Sequence, residues 1–144
     1  LEAGDAEPAS AEVQEKPASV PAVSDPETRE KALKRLTTMV DMLHRACPSR
    51  INGEEWLYAV RIDADGLVRQ VYWIESETRD STADGAAEFA QAFVAEQRPK
   101  LLKAYRATRG IYRNAREAGR GMRFEYLDSK GMRLAAIELR PEEL

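Results

Sequence analysis

Two stretches of this chain alternate residue by residue between opposite sides, and each is broken midway by a short turn ending in glycine. In the first, Trp56, Tyr58, Val60 and Ile62 alternate with Leu57, Ala59 and Arg61. The turn is Asp63-Ala64-Asp65-Gly66, and the return carries Val68, Tyr72 and Ile74 on one side, Val71 and Trp73 on the other. In the second, Met122, Phe124 and Tyr126 alternate with Arg123 and Glu125. Asp128-Ser129-Lys130-Gly131 makes the turn, and Met132, Leu134 and Ala136 alternate with Arg133, Ala135 and Ile137. A period of two puts successive side chains on opposite faces of a strand, and glycine supplies the left-handed backbone of a tight turn. Both stretches therefore predict β-hairpins.

The segments between them read as helices. Ser24 or Asp25 caps the first, Pro26 suits its first turn, and Glu27 and Glu30 suit its positive end. Leu33, Leu36, Met39, Val40 and Leu43 then recur every three or four residues, until Cys47-Pro48 ends the pattern. After the polar loop 76–84, with Ser81, Thr82 and Asp84 as caps, Ala86, Phe89, Ala90, Phe93 and Val94 predict a second amphipathic helix. Pro99 is expected to break or kink it, Leu101, Leu102 and Tyr105 continue its apolar face, and Gly110 interrupts again. A short third helix over 111–118 is closed by Gly119 and Gly121. The order α-β-β-α-(α)-β-β predicts an α+β domain, with a four-stranded antiparallel sheet from two hairpins and helices packed on one face.

Charge divides the chain. Residues 1–26 hold four prolines, no aromatic residue, six acids and only Lys16 as a base, a net charge of −5. So little apolar surface cannot offset the entropy of ordering, and the segment is expected to be a disordered Pro/Ala-rich tether. Acidic leaders of this kind often follow a cleaved signal or a lipid-anchored end, and the other reading is an ordinary inter-domain linker. Residues 27–144 are expected to form the single domain, net +2, large enough to bury roughly two-thirds of its unfolded surface. No apolar run approaches the roughly 18 residues of a membrane span.

Few residues suggest chemistry. One Cys and one His exclude an internal disulfide, a multi-Cys zinc site and a His-pair metal motif. Asp41, His44 and Cys47 stand three apart at the end of the first helix. A helix C-terminus disfavours a thiolate, and residues in line on one helix do not converge as a nucleophile, base and orienting acid must. Glu54 and Glu55 point to opposite faces of a strand. Asp63-Ala64-Asp65-Gly66 lacks the closing bidentate Glu of a calcium loop. No catalytic residue, metal site or cofactor is expected.

The least ordinary feature is basic. Nine Lys and Arg residues lie between Arg98 and Arg123 with Glu117 as the sole acid, net +8. Arg98, Lys100, Lys103, Arg106, Arg109, Arg113 and Arg116 are the candidate partner-binding residues. Such a stripe either lies solvated over the core on its aliphatic stems or meets an anionic partner. An acidic protein or an anionic membrane surface is expected ahead of nucleic acid, because no nucleic-acid recognition motif accompanies the stripe.

Cys47-Pro48 after a helix, Tyr72 in the second strand of a hairpin, 121–126 (GMRFEY), 128–131 (DSKG), Ile137 and Pro141 together resemble a broad set of small exported bacterial domains. Many of those are periplasmic proteins or lipoproteins of unassigned function. The resemblance covers about two-thirds of the chain. Those domains carry further cysteines near the middle helix and the C-terminus, which this chain lacks. The resemblance implies an α+β domain outside the cytoplasm and implies no catalytic residues. The expected function is a non-enzymatic interaction domain tethered in the bacterial envelope, periplasmic or membrane-anchored facing the periplasm. It would act as an accessory, pilotin-like or inhibitory partner of an envelope machine or secreted protein. The alternative is a cytoplasmic nucleic-acid-binding module using the 98–123 stripe, with Tyr105 and Tyr112 stacking on bases.

Overall fold

In the computed structural model, residues 25–106 and 109–143 are described. The tether expected over 1–26 lies outside them except for its last two residues. Helix α1 runs Pro26–Arg45, capped by Asp25, whose side chain accepts a hydrogen bond from the Thr28 amide at 2.7 Å. Strand β1 is Ser49–Arg50, β2 Glu55–Ile62, β3 Val68–Ile74, α2 Ala83–Tyr105, α3 Gly110–Glu117, β4 Met122–Leu127 and β5 Arg133–Leu139, followed by a 3-10 turn at Pro141–Glu143. Gly66 and Gly131 close the two hairpin turns at φ +90° and +83°, where a side chain would be strained.

The α+β class holds, but the sheet differs from expectation. It has five strands in the order β1-β2-β3-β4-β5 and is mixed. β3 and β4 pair in parallel, from Val68 opposite Met122 to Trp73 opposite Leu127, and every other pair is antiparallel. Each hairpin is antiparallel within itself, and that leaves the direction in which the two meet open. The connection through α2 and α3 carries the chain back to the end at which β3 began, and such a crossover joins parallel strands. β1 is too short for its alternation to show.

Two irregularities shift the expected faces. Leu57 lies opposite Tyr72 and Val60 opposite Gln70, so one extra β2 residue is accommodated between them. Leu57, Val60 and Ile62 therefore share the face of Gln70 and Tyr72, whereas Trp56 lies opposite Trp73 on the other face and Tyr58 is exposed. In β5, Ala135 and Ile137 lie opposite Tyr126 and Phe124, with a shift between Arg133 and Ala135, so they share the inward face.

Helices cover that inward face. α1 packs over β2, α2 over β5, and α3 packs against both helices. The core joins Ala32, Leu36 and Val40 of α1 to Val68 and Ile74 of β3, and to Met122, Phe124 and Tyr126 of β4. Helix α2 continues through Pro99, contrary to the expected break. Proline removes one amide donor, but Pro99 and Ala95 four residues before it are both exposed, so water can satisfy the Ala95 carbonyl.

Asp128 ties the second turn to the loop before α2. Its carboxylate accepts from the amides of Arg79 at 2.7 Å and of Lys130 and Met132 at 2.8 Å. These bonds, that to Arg79 foremost, hold its pKa below the ordinary aspartate value of 3.8. A depressed folded-state pKa stabilises the fold above the unfolded value, and that contribution is lost as pH falls through the folded one. In acid unfolding followed by circular dichroism, Asp128→Ala should therefore unfold at higher pH than the wild-type chain, its stability deficit being full above about pH 4 and shrinking as the pH falls further. Phe124, fully buried, should cost about 3–5 kcal/mol as Phe124→Ala in urea denaturation.

Candidate interaction surfaces

The residues that suggested chemistry are engaged in structure. His44 Nδ1 accepts the Val60 amide at 3.3 Å, linking α1 to β2. The Cys47 thiol donates to the Leu43 carbonyl at 3.2 Å, and burial pushes its pKa up. Asp41 is exposed. Asp63 and Asp65 face cations of the chain itself. Arg123 Nη1 meets Asp63 at 2.8 Å, its Nη2 meets Asp65 at 2.7 Å, and Arg69 meets Asp63 at 3.0 Å. Glu138 adds a further carboxylate to Arg123 at 2.8 Å. Arg123, at the end of the basic block, thus belongs to an ion-pair ladder on the outward sheet face. Among the described residues, no group of three or more His, Cys, Asp or Glu side chains could hold a metal ion.

The expected basic stripe is divided by the bend between α2 and α3. Arg98 pairs with Glu143, Lys100 with Glu96 at 3.9 Å, and Arg113 with Glu117 at 2.9 Å. Arg116 is partly buried, and desolvation lowers its pKa. Lys103, Arg106 and Arg109 are exposed, and none of the ion pairs among described residues involves them. Within the stripe, the exposed cations outside these ion pairs are therefore the three at the corner where α2 ends and α3 begins.

The two tyrosines among these bases do not form a stacking platform. Tyr105 is fully buried, and its hydroxyl donates to the Arg120 carbonyl at 2.5 Å. Burial pushes its pKa up to about 12. Tyr112 packs against the core. A ring without an exposed face cannot stack on a base, so Tyr105 gives a nucleic-acid reading no support, and Tyr112 is partly buried. The apolar face that the sequence gives Leu101, Leu102 and Tyr105 turns inward, and this removes Tyr105 from the stacking role of the nucleic-acid alternative.

Sequence reasoning missed a cleft. The loop before β2 contributes Asn52 and Glu54, α2 contributes Phe93 and Gln97, and the sheet contributes Glu55, Ile74 and Tyr126. The space measures about 410 Å³. Phe93 meets Tyr126 edge-on with centroids 4.7 Å apart, and Tyr126 stacks on Tyr72 at 5.3 Å. The cleft thus has an aromatic wall and a polar rim. Glu54 accepts from Ser76, and Glu55 accepts from Asn52 at 3.1 Å, which holds the rim in place. The alternation of β4 announced Tyr126 as inward, but only packing sets Phe93 beside it. A second hollow, of about 390 Å³, opens on the outward sheet face beside Tyr58, Trp73 and Leu127. Next to it Trp56 packs against Trp73 at 6.1 Å, and Arg50 sits over the Trp56 ring at 4.5 Å.

No protein-family model matches the chain, and no curated protein matches it by sequence. Solved structures do match its fold. A candidate secreted protein from Pseudomonas aeruginosa aligns at a TM-score of 0.56 and 11% identity, over 83% of this chain and 97% of its own. The pilotin EpsS of the Vibrio vulnificus type 2 secretion system aligns at 0.52 and 11% identity, over 82% of this chain and 96% of its own. The chain is thus similar in fold to small α+β proteins of exported bacterial type, as the sequence resemblance implied.

The occupied thiol yields a direct expectation. A raised pKa leaves less thiolate at neutral pH. Cys47 should react with iodoacetamide more slowly than cysteine in an unfolded peptide, and unfolding in urea should abolish the difference.

Proposed function

We propose that this chain is a non-enzymatic, protein-binding accessory domain of the bacterial cell envelope, pilotin-like in serving a larger assembly. In this reading it is periplasmic, or anchored to a membrane on the periplasmic side. The observation that carries the reading is the fold, which matches a pilotin over nearly that protein's whole length. The chemistry on the page supports binding. His44 ties helix α1 to β2, Cys47 occupies a carbonyl in the last turn of α1, and Asp63 and Asp65 are neutralised by arginines. The surfaces left over are a cleft with an aromatic wall and a cationic corner.

The partner in this reading is a protein with an acidic segment. The basic residues Arg98, Lys100, Lys103, Arg106, Arg109, Arg113 and Arg116 are the proposed contact, with the free charges of Lys103, Arg106 and Arg109 leading. The cleft would take an apolar side chain of the same partner between Phe93 and Tyr126.

The test begins with a partner captured from the envelope of the native host and identified by mass spectrometry. Arg106→Glu with Arg109→Glu should weaken its binding at least tenfold, a loss of about 1.4 kcal/mol, with unchanged circular dichroism. Gln97→Trp, which fills the cleft from its exposed rim, should weaken binding independently. Full binding by both variants would move the contact elsewhere. Fractionation of the host that finds the protein solely in the cytoplasm would overturn the envelope reading.

A further inference from the structure

We propose that the cationic corner of Lys103, Arg106 and Arg109 is a docking surface for this chain's own acidic segment, residues 1–24. The self-contact deepens the proposed function by regulating one of its surfaces, since an acidic partner would have to displace the segment. It does not require that partner to exist.

Charge supplies the first argument. Residues 1–24 hold Glu2, Asp5, Glu7, Glu12 and Glu15 against Lys16 alone, a net charge of −4. Several cations of the domain are already matched: Arg98 with Glu143, Arg113 with Glu117, Arg69 and Arg123 with Asp63. The corner is different, with three exposed cations within seven residues and no acid paired to them among the described residues.

Chain geometry supplies the second. The segment joins the domain at Pro26, where α1 begins. α1 and α3 run in opposite directions. The Arg29 side chain lies beside Gly119, just past the end of α3. Farther along α1, Arg35 donates to Asn114 at 2.9 Å, and Met39 contacts the same Asn114 at 3.1 Å. Asn114 in turn donates to the carbonyl of Gly110, where α3 starts. Pro26 is therefore about 25 Å from the level of the corner, the rise of the 13 residues to Met39 and of the four from Asn114 to Gly110. Twenty-four residues span about 80 Å when extended, so the segment reaches with ample slack. Glu15 and Glu12, 11 and 14 residues before Pro26, can arrive first. Exposed ion pairs are individually weak, but covalent attachment gives the segment an effective concentration on the order of millimolar.

The experiment uses the full chain. A nitroxide is attached at Ala11→Cys in a Cys47→Ser background, and amide signals are read by NMR. In about 0.01 M salt, where charges act over about 30 Å, the amides of Lys103, Arg106 and Arg109 should lose at least half their intensity. Those of Asn52 and Gly53, at the cleft, should be spared. In about 1 M salt, where the range falls to about 3 Å, the loss should shrink at least twofold. Replacing Glu2, Asp5, Glu7, Glu12 and Glu15 with Asn or Gln should have the same effect at low salt. Broadening that persists in high salt, spreads evenly over the surface, or stays confined to the first turn of α1 would overturn the proposal. So would broadening that appears only between a labelled and a separate observed chain. A corner that shows the contact while binding no envelope protein would keep this inference and reject the partner reading alone.

Discussion

Strands β3 and β4 run side by side in the same direction at the centre of the sheet, and their inward residues are the floor on which the domain is assembled. Val68 and Ile74 on one strand, with Met122, Phe124 and Tyr126 on the other, form an apolar strip buried beneath the helices. A parallel pair cannot be closed by a tight turn, so the chain has to cross one face between β3 and β4. That crossover is α2 and α3, and it delivers the cover the strip requires. The long middle insertion and the buried floor are thus one structural requirement.

Placing the helices on a single face divides the molecule's chemistry. The outward face is left to an ion-pair ladder around Arg123 and to the aromatic cluster of Trp56, Tyr58 and Trp73. The helical side carries the cleft beside Phe93 and the corner at Arg106. Groups that could act as acids, bases or nucleophiles are spent on local geometry: Asp128 on three amides, His44 on the Val60 amide, Cys47 on a carbonyl. What is left exposed suits recognition, by charge at the corner and by shape at the cleft.

Much of the element map was legible. Caps at Asp25 and Thr82, the glycine turns and the apolar stripe through Leu36 and Val40 are local signals, because each depends on residues within about one turn. The candidate site was legible only in part. The excess of basic residues was plain, the i,i+4 spacing of Arg113 and Glu117 is a local signal, and strand alternation set Arg123 apart from Met122 and Phe124, yet nothing local could show that Arg98 meets Glu143 or that Asp63, Asp65 and Glu138 converge on Arg123. The cleft left no linear trace, since Asn52, Phe93 and Tyr126 come from three separate segments.

The residue pattern alone settles the number and kind of principal elements, because alternation, capping and turn chemistry are short-range properties of the backbone. It also settles the charge contrast between the leading segment and the body. Folding in three dimensions chooses the parallel meeting of the hairpins, the outward rotation of Trp56 and Tyr58, and the continuity of α2 past Pro99. Those outcomes turn on which surfaces cover one another and which amides find partners across long sequence separations. Such energies belong to pairs of elements, and no single segment contains them.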